Sequence, residues 1–280
     1  MGIFGQLYTF YRFRVRSYLS SLPGAFWLNR HLAGINNYFV DSPGGDEFKP
    51  VEKDWDVLIV LDACRYDYYK EFYPSSGKRV SSASHSREYF RENFSSGDFK
   101  DTIYISANPH ISPERFAEST DRDLSDVFFE VHHLTLDKWD NELGVVPPEA
   151  LTEKALEQEE RYPGKRKIIH FMQPHGPYIQ EEKFDGISEV VKGEAEIADL
   201  RDAYIKNIES VLPEVERLKE KLNGRVVITG DHGELLGEYG MFSHPYGLKA
   251  KELREVPWHV IKDEKKDFVE YERELNNVDF

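Results

Sequence analysis

Five consecutive aliphatic residues, Val57-Leu58-Ile59-Val60-Leu61, end abruptly at Asp62. An unbroken apolar run of this kind, lacking the alternation of a half-exposed strand, predicts a strand covered on both faces. The pattern recurs along the chain. Thr102-Ile103-Tyr104-Ile105 leads into Asn108-Pro109, Lys167-Ile168-Ile169-His170-Phe171 is broken by Pro174 and Pro177, and Val226-Val227-Ile228-Thr229 ends at Asp231. Val127 to Val131 and Val256 to Ile261 read as further strands. Helical stretches lie between them. One runs from Glu149 to Arg161, opened by Pro147-Pro148 and stopped by Pro163-Gly164. Another runs from about Ala195 to Leu222, with Pro213 expected to bend it and Asn223-Gly224 to end it. The polar tail after Lys262 reads as a surface helix. Apolar strands alternating with helices predict an α/β fold with a central, mainly parallel sheet and helices on both faces.

The 280 residues, 40% hydrophobic and 14% aromatic, suffice for one large core with a short appendage. A net charge of −15 excludes nucleic acid as the main partner, because phosphate backbones call for clustered Lys and Arg. The acidity is uneven: residues 1–40 contain Arg12, Arg14, Arg16 and Arg30 and no Asp or Glu. Ser42-Pro43-Gly44-Gly45 separates a basic, aromatic N-terminal arm (1–45) from the body of the chain (46–280). Such an arm suits peripheral contact with an anionic membrane through residues 1–40, or packing against a partner. Arg12-Phe13-Arg14-Val15-Arg16 alternates with a period of two, which fits a strand better than an amphipathic helix. The sequence contains no apolar run of about 18 residues and no secretory signal pattern. Its one cysteine, Cys64, precludes an internal disulfide. Together these predict a cytoplasmic location, with membrane association through the arm.

In open α/β sheets, binding residues gather beyond the carboxyl ends of the strands. Three of the apolar runs end in groups competent to hold a metal: Asp62; His170 and His175; and Asp231-His232-Gly233-Glu234. Carboxylates and imidazoles brought to one edge can meet around a divalent cation. Each also has a plainer reading. Asp62 suits a helix cap, and a single strand-end His is commonly a satisfied structural residue. The Asp231-His232 pair, flanked by Gly230 and Gly233, resists that reading most strongly.

The stretch Asp231-His232-Gly233-Glu234-Leu235-Leu236-Gly237-Glu238-Tyr239-Gly240, followed by His244, resembles the signature of the alkaline phosphatase and sulfatase superfamily. Pro174-His175-Gly176-Pro177-Tyr178 is similar to its Pro-His-x-Pro segment, and Leu61-Asp62-x-x-Arg65-x-Asp67 to its first metal-binding strand. The resemblance spans residues 57–247 and leaves 1–45 without a counterpart. It implies an alkaline-phosphatase-like fold and a metal site built from Asp62, Asp231 and His232, with a nucleophilic hydroxyl between the first and second motifs. Manganese or zinc is favoured, with calcium or magnesium as alternatives. The cation would activate the hydroxyl and neutralise charge on the ester oxygens.

The nucleophile is read from what fits that pattern. Cys64, followed by Arg65-Tyr66-Asp67, fails the Cys/Ser-x-Pro/Ala-x-Arg pattern of formylglycine sulfatases, and Ser81-Ser82-Ala83-Ser84-His85 places His85 where Arg is required. Ser84-His85-Ser86, before the helical Arg87-Glu88-Tyr89-Phe90, is similar to the start of the nucleophile helix in phospho-transferring branches. Ser86 is therefore assigned as nucleophile and metal-contacting hydroxyl, with Ser84 second, against the plainer reading of a Ser-rich cap. His244, thirteen residues after Asp231, replaces the usual sulfatase Lys, as in phosphoethanolamine transferase-like members. Its expected roles are substrate binding, general acid, or ligand to a second metal. By the same resemblance His175 contacts substrate oxygens. His170 is expected to be structural, Arg65 to pair with Asp67, and Asn108 to wall the pocket.

The expected function is a metal-dependent hydrolase or transferase of phosphate-containing esters, lipid- or glycan-linked substrates included. The alternatives are a sulfatase with an unmodified serine, or a non-catalytic family member that binds metal or glycan.

Overall fold

The computed structural model describes residues 36–179, 184 and 186–264. The basic arm as far as residue 35 and the tail after Glu264 lie outside them, and with them the alternating Arg12–Arg16 stretch and the expected surface helix. The strands are β1 (Glu47–Phe48), β2 (Val57–Asp62), β3 (Gly77–Ser81), β4 (Phe99–Ser106), β5 (Phe128–His133), β6 (Arg166–Pro174), β7 (Arg225–Gly230), β8 (Leu235–Leu236), β9 (Phe242–Ser243) and β10 (Glu255–Asp263). Eight of them form one sheet in the order β1-β3-β10-β7-β2-β6-β4-β5, and β8 and β9 form a separate antiparallel pair. Within the large sheet only β10 runs against its neighbours, β3 and β7. The expected mainly parallel sheet is thus present.

Helices cover both faces because each central strand is apolar on both sides. From β2, Val57, Ile59 and Leu61 point to one face and Leu58 and Val60 to the other. The first face is covered by α1 (Tyr66–Phe72), α5 (Pro148–Arg161) and α7 (Ile197–Lys221), through Tyr69, Leu151, Ala155, Val211, Val215 and Leu218. The second is covered by α2 (Ser86–Phe94) and α3 (Pro113–Thr120), whose Tyr89, Phe90, Phe94 and Phe116 form an aromatic layer with Tyr104 and Phe128. Three shorter α-helices are α4 (Leu124–Val127), α6 (Ile187–Lys192) and α8 (Lys251–Arg254).

Pro148 opens α5, where a missing N–H costs nothing. Pro213 lies inside α7, which continues past it to Lys221. At the start of the described chain, Asn37 and Asp41 are tied to the body. Asn37 Nδ2 donates to the Gly247 carbonyl and its Oδ1 accepts from Lys249 N–H, while Asp41 accepts from Lys251.

Candidate active site and metal centre

The parallel strands β7, β2, β6 and β4 are adjacent and end at one edge of the sheet. Leu61 and Gly230 are register partners, so Asp62 and Asp231 leave the sheet side by side, both buried. Two glycines make the close passage possible. A Cβ on Gly230 would come within 2.7 Å of the Cys64 carbonyl oxygen, and one on Gly233 would run into the Glu252 carbonyl. The Gly233 N–H instead donates to Leu253 O at 2.7 Å, which pins the backbone just after the Asp231-His232 pair.

The side chains then converge. Asp231 Oδ1 accepts from the N–H groups of Ala63 (3.0 Å) and His232 (2.8 Å), while its Oδ2 accepts from the Ser86 hydroxyl at 3.0 Å. His232 Nδ1 lies 2.8 Å from the Gly233 carbonyl, so it carries the proton and leaves the Nε2 lone pair for the site. That Nε2 is 3.1 Å from Ser86 Oγ, 3.3 Å from Asp231 Oδ2 and 3.7 Å from Asp62 Oδ1. Ser86 is the first residue of α2, after a His85 cap whose Nδ1 accepts from Arg87 N–H. Asn108, just past β4, donates to Asp62 Oδ2 at 2.6 Å and to Ser86 Oγ at 3.0 Å. Its own Oδ1 is held by the His110 N–H at 2.7 Å.

The two carboxylates have been driven apart in proton affinity. Burial, and then the charge of Asp231, push the Asp62 pKa well above the usual carboxylate range, and the Asn108 hydrogen bond only partly offsets them. Burial also works against the Asp231 charge. There, however, His232, His170 and the N–H groups of Ala63 and His232 prevail, and its pKa falls below the ordinary value. Asp62 Oδ1 is buried with no hydrogen-bond partner among the described residues. An acceptor left unpaired beside a second carboxylate, an imidazole lone pair and a hydroxyl fits a divalent cation in both charge and donor type. Asp62, Asp231 and His232 offer ligand atoms within 4.8 Å of one another. Two carboxylates, one imidazole and a hydroxyl make a mixed nitrogen and oxygen donor set of the kind that holds divalent metals.

The other expected residues take distinct places. Ser84 is not in this cluster: its Oγ lies 2.6 Å from Glu88 Oε2 and accepts from Gly247 N–H at 3.0 Å, tying down the 245–247 loop. His170 sits beneath Asp231, with Nδ1 2.9 Å from the Tyr104 hydroxyl, and burial lowers its pKa to about 4, so it is neutral. Arg65 donates to both Asp67 oxygens (2.9 and 2.6 Å) and to Glu238 (2.9 Å). The expected ion pair with Asp67 is present, and the guanidinium is already engaged.

His244 packs beside the metal-type cluster, its ring centroid 4.6 Å from that of His232 and 4.9 Å from that of His175. Its Nδ1 lies 3.1 and 3.2 Å from the two carboxylate oxygens of buried Glu234. His175, Glu234 and His244 form a second group with ligand atoms within 4.8 Å of one another. Burial lowers the His175 pKa, a shift that the Glu234 charge opposes. These three side chains border a cleft of about 430 Å³ whose far wall is Tyr178, Phe184 and Ile187.

Sequence reasoning grouped Glu234 with the metal-competent residues after Asp231 but gave it no part beside His244, and it gave Asn108 only a wall position. A buried carboxylate three residues past a metal-type Asp on a tight Gly-flanked turn was the available signal for the first. Nothing local marked Asn108 as the bridge between Asp62 and Ser86.

Neither a family model nor a curated protein matches the sequence. Solved structures do. The soluble domain of lipooligosaccharide phosphoethanolamine transferase A from Neisseria meningitidis is 14% identical, with a TM-score of 0.53 over 83% of this chain and 81% of that one. The integral membrane form of lipooligosaccharide phosphoethanolamine transferase A from the same organism is 13% identical, with a TM-score of 0.55 over 96% of this chain and 60% of that one. The C-terminal periplasmic domain of a phosphoethanolamine transferase from Campylobacter jejuni is 14% identical, with a TM-score of 0.49 over 72% and 76%. At these identities the likeness is one of fold. The fold is the alkaline-phosphatase-like α/β fold, as the sequence motifs led us to expect.

The cytoplasmic location expected from the sequence is contradicted, because a protein similar in structure, lipooligosaccharide phosphoethanolamine transferase A, is described as an integral membrane protein. The physical premise was also weak. Cys64 is buried and is the only cysteine, so it can form no internal disulfide in any compartment and carries no information on redox environment. Among the described residues no helix is long and apolar enough to cross a membrane.

Proposed function

We propose that this chain is an enzyme of the alkaline phosphatase superfamily that hydrolyses or transfers a phosphate-containing ester, with Ser86 as nucleophile. The single observation that carries the reading is the position of Ser86 Oγ, 3.0 Å from Asp231 Oδ2 and 3.1 Å from His232 Nε2. Asp62, Asp231, His232 and Ser86 would hold the cation, zinc or manganese. Once bound, it would supply a lowered pKa for the Ser86 hydroxyl and neutralisation of charge on the ester oxygens.

The chain's own groups do the rest. The Asn108 amide donates to Ser86 Oγ and Asp62 Oδ2 and so fixes the attacking oxygen relative to the ligand carboxylate. Ser86 Oγ, its proton released to solvent water, attacks phosphorus as the bond to the leaving alcohol breaks. His244 protonates the leaving oxygen. Glu234 at its Nδ1 orients the ring and stabilises the charged form, as the third member of a triad does. The phosphoserine left at Ser86 is then attacked by water or by a second alcohol, which regenerates the hydroxyl. His175, on the cleft wall, contacts the substrate oxygens.

The apolar far wall of the cleft suits a substituent beyond the phosphate, as in a lipid- or glycan-linked ester. The division into an arm (1–45) and a catalytic domain (46–280), and contact of the arm with anionic lipid, belong to the same proposal. The test is a screen of aryl phosphomonoester, phosphodiester and sulfate ester with manganese or zinc, run beside metal analysis of the protein. Turnover of a phosphate ester that requires metal supports the reading. Turnover of the sulfate ester alone replaces it with the sulfatase alternative. A protein that binds neither metal overturns it.

A further inference from the structure

Two buried polar side chains on α7 face the site without belonging to it. Tyr204 and Asn207, three residues apart and both 0% exposed, interrupt the apolar stripe of the helix. The Tyr204 hydroxyl donates to the Ala63 carbonyl at 2.7 Å and accepts from the Arg65 N–H at 2.9 Å. Between those two contacts lies the turn that follows Asp62. Ala63 itself has φ 60°, a left-handed conformation that favours glycine, and its N–H donates to Asp231 Oδ1 at 3.0 Å. Tyr204 therefore closes a strained turn that carries one ligand carboxylate and hydrogen-bonds the other.

One turn further along α7, Asn207 Nδ2 donates to the carbonyls of Pro174 (3.1 Å) and His175 (3.0 Å). Its Oδ1 accepts from the Ile179 N–H at 3.0 Å. Those contacts bracket the His175 loop at its start and end.

Resting on the function proposed above, we infer that Tyr204 and Asn207 are positioning residues with separate tasks. Tyr204 sets the carboxylate geometry of the cation site, and Asn207 sets the placement of His175 against the substrate. Each removes the conformational freedom of one loop, and both are mounted on one rigid helix, so the two loops keep a fixed spacing. Groups that orient ligands from behind in this way alter metal affinity or activity by about 10–100-fold when removed.

The separation of tasks gives the test. Manganese and zinc affinities are measured on the full chain by calorimetry, and KM for an aryl phosphoester is measured at saturating metal. Tyr204→Phe keeps the ring and loses the hydroxyl. It is expected to weaken metal binding by about tenfold or more and to leave KM within about twofold. Asn207→Leu, or Asn207→Asp, which keeps the acceptor for Ile179 and loses both donated bonds, is expected to raise KM by about tenfold and leave metal affinity unchanged. Tyr73→Phe, which deletes a hydroxyl bonded to Glu216 at 3.1 Å on the outer side of the core, controls for loss of a tyrosine hydrogen bond and changes neither quantity. The inference is overturned if Tyr204→Phe binds metal as the unaltered chain does, if both quantities move together in both variants, or if neither moves. An unaltered chain that binds no metal overturns the proposed function instead, and the affinity arm shows this before any variant is made.

Discussion

The Asn108 amide donates to Asp62 Oδ2 across 2.6 Å, and the same nitrogen lies 3.0 Å from Ser86 Oγ. One neutral side chain thus joins the first motif to the proposed nucleophile, and it is the hydrogen-bond donor that opposes the rise in the Asp62 pKa. Asn108→Ala should lower kcat by about 10–100-fold, because both the carboxylate and the hydroxyl lose their orienting partner. The expected pattern is a fall in kcat together with a weaker metal affinity, with the melting temperature little changed. Full activity in this variant would remove Asn108 from the site's working parts.

Ser86 and Asp231 should separate cleanly under mutation. Ser86→Ala should reduce turnover by about 10⁴-fold or more while most of the metal stays bound, since two carboxylates and an imidazole remain. Asp231→Asn should lose both turnover and metal. Elemental analysis of the two purified variants, alongside their rates, checks this. Equal metal loss in both would make Ser86 a ligand of first importance.

Glu234 lies against His244 Nδ1 at 3.1 Å, and the role given to that pair is protonation of the leaving oxygen. Glu234→Gln should slow cleavage of an alkyl ester by about 10²-fold but affect a nitrophenyl ester far less, because a good leaving group needs no proton. Rates across a series of leaving groups measure the difference. A uniform loss across the series would move the pair to substrate binding.

How much of this was legible in the sequence follows from burial. β2, β4, β6 and β7 were readable because strands covered on both faces leave no polar interruption, and their terminal Asp62, Asn108, His175 and Asp231 could be placed at one edge. β3 was not readable, because its Lys78 and Arg79 are exposed, and the antiparallel direction of β10 is not marked by its residues. Ser84 and Ser86 could not be separated by type. Only the start of α2 at Ser86, which leaves Ser84 bonded to Glu88, does that. Tyr204 and Asn207 were hidden because their partners are backbone groups more than 25 residues away, for which local pattern carries no signal.

His110 gives a pH signature for the fold itself. Burial, and then Arg115, lower its pKa from 6.5 to about 4. The folded chain therefore resists a proton that the unfolded chain accepts. The stability this represents is complete above about pH 6.5 and is lost as pH falls toward 4. The loss attributable to His110 should be about 1–3 kcal/mol. Denaturant titrations from pH 7 to 4 should show a shallower decline for His110→Gln than for the unaltered chain. Parallel curves would assign the acid sensitivity to other groups.

Gly233 tests the packing around the pair it follows. With the Glu252 carbonyl in the path of any Cβ, Gly233→Ala should cost about 1–3 kcal/mol or more and displace Asp231 and His232. Thermal melts and metal affinity should fall together. A stable variant that retains its metal affinity would mean that the 252–254 segment yields freely.

The central claim is a covalent ester-cleaving centre at Ser86, and peptide mass spectrometry tests it most directly. The chain, loaded with manganese or zinc and quenched during turnover of an aryl phosphodiester, should carry the phosphoryl adduct on the peptide containing Ser86, and Ser86→Ala should carry none. An adduct on Ser84, or turnover with no adduct on any serine in a time course through the first cycle, would contradict it.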